Sequence, residues 1–267
     1  MAQRIAVRQT DDPRVDDFRQ LSTADRRPDR PGGRGYVIAE GTVVVRRLLT
    51  SRYPVRSLLG VARRIDELEP ELAGIDVPAY VTSADAMAEI VGFHLNRGVL
   101  AVADRAPQPA VADILRTSEV LAVLEGVGDH ENLGALFRNA AALGVGGVLL
   151  GPGCSDPLYR RSVRVSMGNV LRVPFAALQP WPDGLTLLKD NGFRIAALTP
   201  RVDSVSLREL AAGEGKVALL FGSEGPGLTA EALAAADIAV RIPMTDGVDS
   251  LNVATAAAVA FYELAGR

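Results

Sequence analysis

The C-terminal half of the chain alternates short, almost continuously apolar runs with longer segments of helical periodicity. Runs at 119–127, 147–150 and 216–222 are rich in Val, Leu and Ala, which is typical of strands buried on both faces of a parallel sheet. Because parallel strands need long crossover connections, usually helices, this alternation predicts an α/β fold with a parallel sheet. Further strands are predicted at 171–175, 193–200 and 238–243, and helices at 131–143, 157–168, 229–236 and 251–264.

A smaller α/β unit precedes this sheet. Its predicted strands lie at 36–39, 55–59 and 98–103, and its predicted helices at 42–51 and 84–92. Two prolines within three residues, Pro107 and Pro109, favour extended backbone and predict a linker. The chain is therefore divided into a polar N-terminal extension (1–34), a small α/β domain (35–105), a linker (106–116) and the parallel-sheet domain (117–267).

Composition argues against several classes of protein. No apolar run among the 267 residues reaches the roughly 18 needed to cross a bilayer, and the N-terminus lacks the apolar core of a secretory signal. We therefore expect a cytoplasmic protein without a membrane partner. Cys154 is the only cysteine, and His94 and His130 are the only histidines, so we expect no metal site. The net charge of −3 does not exclude nucleic-acid binding, which depends on local basic clusters.

Three unusual loops follow predicted strands. GVGDHENLGALFRNAAALGV begins at Gly126, FGSEGPGLT at Phe221 and IPMTDGVDSLNVATAAA at Ile242. Ligands of open parallel sheets bind outside the carboxyl ends of the strands. Gly, Asn and Ser also allow backbone N–H groups to approach a ligand closely. These loops therefore predict a binding site at one edge of the sheet.

The three loops resemble, in order, the motifs of the SpoU (TrmH-like) RNA ribose methyltransferases of the SPOUT superfamily. The first motif is an Asn followed six residues later by Arg, here Asn132 and Arg138. The second motif matches LLFGSEGPGL at 219–228. The third matches IPM at 242–244 and SLNV at 250–253.

This resemblance implies a fold, an activity and partners. AEG at 39–41 and NRGVLA at 96–101 resemble the RNA substrate-binding domain that precedes the catalytic domain in many members. The family implies a trefoil knot within 117–267, a rare exception to the rule against knots, and a homodimer. It implies methylation of an RNA ribose 2′-hydroxyl with S-adenosyl-L-methionine as cofactor. 23S rRNA and guanosine are favoured; a tRNA substrate, or a non-catalytic RNA-binding ribosome-assembly factor, stays open.

The resemblance also implies site residues. For the cofactor these are Thr199, Gly222, Glu224, Ile242, Met244, Leu251 and Asn252. For catalysis they are Asn132, Arg138, Glu224, Ser250 and Asn252. A guanidinium scarcely loses its proton, so we interpret Arg138 as a clamp on an RNA phosphate near a helix N-terminus, with a role as base left open. The other catalytic candidates would orient the nucleotide or relay its proton.

Two further expectations concern single elements. A side chain at Gly222 is expected to block the cofactor while the fold survives. The helix at 251–264 is expected to place Phe261, Tyr262 and Leu264 in a subunit contact.

One string favours a different class of enzyme. LEGVGDH at 124–130 imitates the start of a dinucleotide-binding fold. The third glycine is absent, however, because position 130 is His, and no acidic residue ends a second strand about 20 residues further on. A nicotinamide-dependent enzyme is therefore the less favoured alternative.

Overall fold

The computed structural model describes residues 2–21, 35–201, 203–245, 248 and 250–265. In chain order the elements are β1 (Gln3–Ala6), β2 (Val37–Glu40), α1 (Thr42–Leu49), β3 (Val55–Gly60), α2 (Ala62–Asp66), α3 (Glu69–Leu72), β4 (Pro78–Val81), α4 (Ala84–Val91), β5 (Val99–Ala103), α5 (Val111–Thr117), β6 (Val120–Leu124), α6 (His130–Ala142), β7 (Gly147–Leu150), α7 (Arg160–Val165), β8 (Phe175–Ala177), α8 (Leu185–Asp190), β9 (Phe193–Leu198), β10 (Val205–Ser206), α9 (Leu207–Ala211), β11 (Lys216–Phe221), α10 (Ala230–Ala235), β12 (Ile238–Arg241) and α11 (Val253–Ala265). The chain forms two compact units: Met1–Pro107 with Leu158–Arg172, and Gln108–Pro157 with Val173–Arg267.

The first unit is built on a sheet of mixed direction. Its described strands follow the order β1-β4-β3-β5-β2. β1, β4 and β3 run parallel to one another, whereas β5 is antiparallel to β3 and to β2. α7 packs against β2, and the guanidinium of Arg160 lies 4.6 Å from the centre of the Phe93 ring. Arg160 therefore contributes to packing inside this unit.

The N-terminal segment is part of this unit, which differs from the predicted extension over 1–34. β1 pairs in parallel with β4, and a 3-10 turn at Pro13–Phe18 buries Val15 and Phe18 completely. These apolar residues are scattered among arginines and aspartates, so the segment reads as polar when averaged. Residues 22–34 of the predicted extension lie outside the described part of the chain.

The second unit contains the predicted parallel sheet. Its described strands follow the order β10-β12-β9-β11-β6-β7-β8, and each neighbouring pair is parallel. The central strands β6 and β11 are buried along almost their whole length, which accounts for their unbroken apolar sequence. The α/β fold with a parallel sheet is confirmed, whereas the trefoil knot stays a prediction.

The strand order changes direction at the centre of this sheet. From β6 the chain moves outward to β7 and β8, then returns to β9 and places β11 between β9 and β6. Such a switch point opens a crevice outside the carboxyl ends of the strands. The loops that leave β6, β9, β11 and β12 therefore meet at one edge.

Several elements of this unit differ from the sequence prediction. α5 occupies much of 106–116, where a linker is predicted, because Ile114 and Leu115 pack into the core of the sheet. The two prolines lie before the N-cap Ala110, so neither interrupts the helix. The strand predicted at 171–175 begins only at Phe175, since Asn169–Leu171 forms a 3-10 turn. Among the described helices, none has both the length and the apolar character that a membrane span requires.

Candidate functional site

The loops after β9, β11 and β12, together with the start of α11, enclose a cavity of about 220 Å³. Six residues predicted to bind a cofactor line it: Thr199, Gly222, Glu224, Ile242, Met244 and Leu251. Ser250, predicted to be catalytic, also lines it. The wall is mostly apolar, and its polar side chains are Thr199, Ser223, Ser250 and Glu224.

The loop that follows β11 folds back tightly on itself. Ser223 and Gly227 form an antiparallel bridge, and the Gly227 N–H donates to the Ser223 carbonyl at 3.1 Å. A Cβ at Gly222 would stand 2.3 Å from the backbone of Gly227 and Leu228. Glycine is therefore required at 222 by the loop itself. This corrects the expectation that a side chain there would block a cofactor and leave the fold intact.

Asn252 joins three segments of the site through its amide. Its Nδ2 donates to Asn132 Oδ1 at 2.7 Å and to Glu224 Oε1 at 2.7 Å. Its Oδ1 accepts hydrogen bonds from the backbone N–H groups of Ala254 at 3.0 Å and Thr255 at 3.1 Å, which caps the N-terminus of α11. An amide suits this position because it donates on one side and accepts on the other.

The N-terminus of α6 is capped by the carboxylate of Asp129. Asp129 Oδ1 accepts from the backbone N–H groups of Glu131 at 2.8 Å and Asn132 at 2.9 Å. Two of the four free N–H groups of this helix end are therefore already used, and Glu131 adds a second negative charge in the first turn. This overturns the expectation that the helix end favours an RNA phosphate.

Arg138 is separated from the hydrogen-bonded cluster. Six residues along α6 correspond to about 9 Å of rise and about 120° of rotation from Asn132. Its side chain is exposed, and no described residue forms a hydrogen bond or an ion pair with it. Asn139, seven residues after Asn132, instead shares the face of Asn132, and its Nδ2 donates to the Ala254 carbonyl at 2.9 Å. The structure thus brings Asn132, Glu224 and Asn252 together directly, without Arg138.

The sequence pattern of the SpoU rRNA methylase family matches residues 119–262. This stretch holds the central sheet strands, the cavity loops and the Asn252 cluster. The chain belongs to the SpoU rRNA methylase family. The family assignment made from the three motifs is confirmed, and the chain is a methyltransferase.

Similarity to individual proteins extends beyond the SpoU segment. An uncharacterised tRNA/rRNA methyltransferase of Mycobacterium tuberculosis is 57% identical over 255 residues, covering 95% of this chain and 88% of its own length. A solved RNA 2′-O ribose methyltransferase is 25% identical with a TM-score of 0.74, covering 98% of each chain. An AdoMet-bound rRNA methyltransferase from Sinorhizobium meliloti, 24% identical with a TM-score of 0.78 and 98% coverage of each chain, shares the fold.

SpoU membership excludes the nicotinamide-dependent alternative, and the structure shows what the 124–130 string does instead. Glu125 is buried, and its carboxylate accepts hydrogen bonds from Trp181 and Thr229, so both oxygens are already engaged within the protein. Asp129 caps α6. The string therefore forms structural contacts around the loop after β6.

The Cys154 thiol lies near the loop after β6. Burial raises the pKa of the Cys154 thiol, which disfavours the reactive thiolate, and its Sγ lies 3.4 Å from the Leu124 carbonyl. Within the described parts of the chain, no group of three His, Cys, Asp or Glu side chains is arranged to hold a metal ion.

Proposed function

We propose that this SpoU-family chain is an S-adenosylmethionine-dependent methyltransferase that modifies a ribose 2′-hydroxyl of RNA. The observation that carries the proposal is the hydrogen-bonded cluster of Asn132, Glu224 and Asn252 beside a mostly apolar cavity. The similarity to a solved RNA 2′-O ribose methyltransferase supports the ribose as the acceptor.

The cavity residues fit S-adenosylmethionine. Ile242, Met244 and Leu251 offer apolar surface to a purine ring, and the Glu224 carboxylate supplies negative charge for a cationic sulfonium. When bound, the cofactor supplies an electrophilic methyl group. An enzyme with the same fold is described in its AdoMet-bound form, which supports this choice.

Within this proposal the chain's own residues hold the ribose and accept its proton. Asn252 binds Glu224 through Oε1, so Oε2 is the oxygen offered to the 2′-hydroxyl and to its proton. Ser250 lines the cavity and orients the nucleotide, as does Asn132. A fixed acceptor contributes by alignment, because the hydroxyl is held in a reactive orientation before the transfer begins.

Arg138 acts on the RNA rather than on the cofactor. Its guanidinium is exposed and engages none of the described residues, so it is open to a phosphate oxygen of the substrate. Two parallel N–H donors match a phosphate in a way that a lysine cannot reproduce. We propose that this contact orients the ribose and lowers the pKa of its hydroxyl.

We further propose that the substrate is 23S rRNA at a guanosine, with tRNA as the alternative, and that the first unit binds the RNA. Two strings that suggested this role lie side by side in that unit: the Gly41 N–H donates to the Val99 carbonyl at 2.9 Å, and the Arg97 guanidinium donates to the Glu40 carbonyl at 3.4 Å. A cytoplasmic homodimer with a knotted catalytic domain completes the proposal.

The deciding experiment is methyl transfer from labelled S-adenosylmethionine to RNA of a strain that lacks the gene. Ribose methylation protects the neighbouring phosphodiester from alkali, so we expect the label in alkali-stable dinucleotides. Label in mononucleotides would instead mean base methylation and contradict the ribose assignment. Separating rRNA from tRNA before hydrolysis identifies the substrate class, and label in tRNA alone would support the tRNA alternative.

A further inference from the structure

We infer that Glu125 is a positioning residue that holds both ends of the 222–228 loop and so sets the shape of the cofactor cavity. The inference rests on the proposed function, because it assumes that this cavity receives S-adenosylmethionine. Glu125 has no place in the three motifs and entered the sequence interpretation only through its resemblance to a dinucleotide-binding string.

One end of the loop is held by the backbone of Glu125. Its N–H donates to the carbonyl of Phe221, the last residue of β11, at 2.9 Å. This bond continues the parallel pairing of β6 and β11 by one residue beyond Leu124 and Phe221. The loop therefore departs from a fixed point beside β6.

The other end is held by the side chain of the same residue. Glu125 Oε2 accepts from the Thr229 backbone N–H at 2.9 Å, and Oε1 accepts from Thr229 Oγ1 at 2.8 Å. Thr229 is also the N-cap of α10, where its Oγ1 accepts from the Ala232 N–H at 3.2 Å. One residue thus fixes the carbonyl before the loop and the amide after it.

A third donor orients the carboxylate. Trp181 Nε1 donates to Glu125 Oε1 at 2.7 Å, and Glu125 is only 5% exposed. A buried carboxylate is tolerated when its oxygens receive hydrogen bonds, and here all three partners are protein groups. The hydrogen bonds from Trp181 and Thr229 therefore set the position of the side chain.

The loop between these two points carries residues of the candidate site. Gly222 and Glu224 line the cavity, and Glu224 is the acceptor for Asn252. If the two ends separate, Gly222 and Glu224 move relative to the β9 and β12 loops on the opposite side of the cavity. The consequence is weaker cofactor binding, with misplacement of the Glu224 carboxylate.

Glutamine cannot replace this glutamate without loss. With its oxygen toward Trp181 and the Thr229 hydroxyl, its amide group faces the Thr229 N–H, and two donors oppose each other. In the flipped orientation the amide group faces the Trp181 N–H instead. Either orientation leaves a donor unpaired in a buried site, which is the costly case for a hydrogen bond.

The test is Glu125→Gln, compared with Glu119→Gln, an exposed glutamate directly before β6. Binding of S-adenosylmethionine to the wild-type protein by calorimetry comes first; no binding there would refute the proposed function, and with it the premise of this inference. If the wild type binds, we expect Glu125→Gln to weaken binding about tenfold, the ratio for about 1.4 kcal/mol. Glu119→Gln should bind as the wild type does. Equal affinity of both variants and the wild type would refute the role of Glu125.

A positioning role of Glu125 is distinguished from a purely structural role by which quantity the substitution changes. At a temperature at which the variant is fully folded by circular dichroism, we expect the KM for S-adenosylmethionine to rise more than kcat falls. A lower melting temperature with unchanged KM would overturn the inference. Thr229→Val should reproduce the rise in KM and Thr229→Ser should not, and this pair keeps the inference testable if Glu125→Gln fails to fold. In the double variant with Glu125→Gln, Thr229→Val should raise KM by less than it does alone, because both substitutions affect the same Glu125–Thr229 contact.

Discussion

At the scale of single residues, Asn252 has two roles, and a different atom of its amide serves each one. One atom, Oδ1, caps α11, while the other, Nδ2, holds Asn132 and Glu224. A carboxylate caps a helix as well as an amide does, but it has no hydrogen to donate. The two roles can therefore be tested independently.

We predict that Asn252→Asp keeps α11 folded and reduces methyl transfer. The new carboxylate caps α11, but it opposes Glu224 and loses both donated bonds. A lost hydrogen bond to a charged group costs roughly 1.5–3 kcal/mol, so we expect a decrease of about tenfold to hundredfold. The transfer rate reports the donated hydrogen bonds, and thermal melting reports the cap of α11. Asn191→Asp, at the end of α8, is the matched control. Full activity of Asn252→Asp would show that the donated bonds are dispensable.

Arg138 supplies a second prediction at this scale. Because Arg138 forms no hydrogen bond or ion pair with the described residues and does not line the cavity, Arg138→Ala should leave S-adenosylmethionine affinity nearly unchanged. Transfer should fall about a hundredfold, the loss that follows removal of a contact made mainly in the transition state. Arg138→Lys should recover little of this. Calorimetry measures the cofactor affinity and a transfer assay measures the rate, with Arg116→Ala, at an exposed arginine, as the control. A lysine variant with nearly full activity would contradict the phosphate clamp.

The motifs predicted Asn132, Glu224 and Asn252 as site residues, but they did not predict how these side chains are arranged. Asn132 and Asn252 are 120 positions apart, and a single sequence holds no signal that pairs their amides. The capping role of Asp129 was detectable, because Asp directly before a helical segment is a standard N-cap. The positioning role inferred for Glu125 was not detectable, because it depends on hydrogen bonds from Trp181 and Thr229. These two residues lie beside Glu125 only in the folded protein.

At the scale of elements, the loop after β11 is limited by its own backbone. We predict that Gly222→Ala destabilises this loop, because a Cβ would stand 2.3 Å from the backbone of Gly227 and Leu228. Overpacking of this kind costs roughly 1–3 kcal/mol, so both the melting temperature and the cofactor affinity should fall. Gly74→Ala, where a Cβ meets nothing within 4 Å, is the control for thermal melting. Lost affinity with wild-type stability would instead restore direct steric exclusion of the cofactor.

Elements were predictable where burial leaves a recognisable apolar pattern in the sequence, either a continuous run or a periodic one. β6 and β11 are buried on both faces and read as unbroken apolar runs. The short helices α8 and α9, of six and five residues, do not complete enough turns to show a helical period. β1 is an edge strand with mostly exposed side chains, so it lacks the alternation that marks a half-buried strand.

At the scale of the whole molecule, the proposed homodimer depends on the outer face of α11. Phe261 and Leu264, expected in the subunit contact, are buried within their own chain; Phe261 packs edge-on against Phe221 at 5.7 Å. Tyr262, by contrast, is 71% exposed. Of the three residues expected in the contact, Tyr262 is therefore the one that the fold leaves available.

We predict that light scattering at micromolar concentration reports a dimer, and that Tyr262→Ala shifts it toward monomer. Truncating an aromatic anchor of an interface costs about 2 kcal/mol or more, which is enough to change the monomer fraction measurably. Leu187→Ala, on α8, removes an exposed apolar side chain elsewhere and should leave the mass unchanged. A monomeric wild type would refute the homodimer.

The order in which the cavity walls occur along the chain has a consequence for synthesis. Its lining runs from Leu198 to Ala256, so all of it is translated after β6, β7 and β8. Three of the seven described strands of the parallel sheet are therefore synthesised before any wall of the cavity exists. A ligand that binds only the folded form stabilises only that form. S-adenosylmethionine is thus unable to guide the early folding of this enzyme and can act only after α11 has left the ribosome.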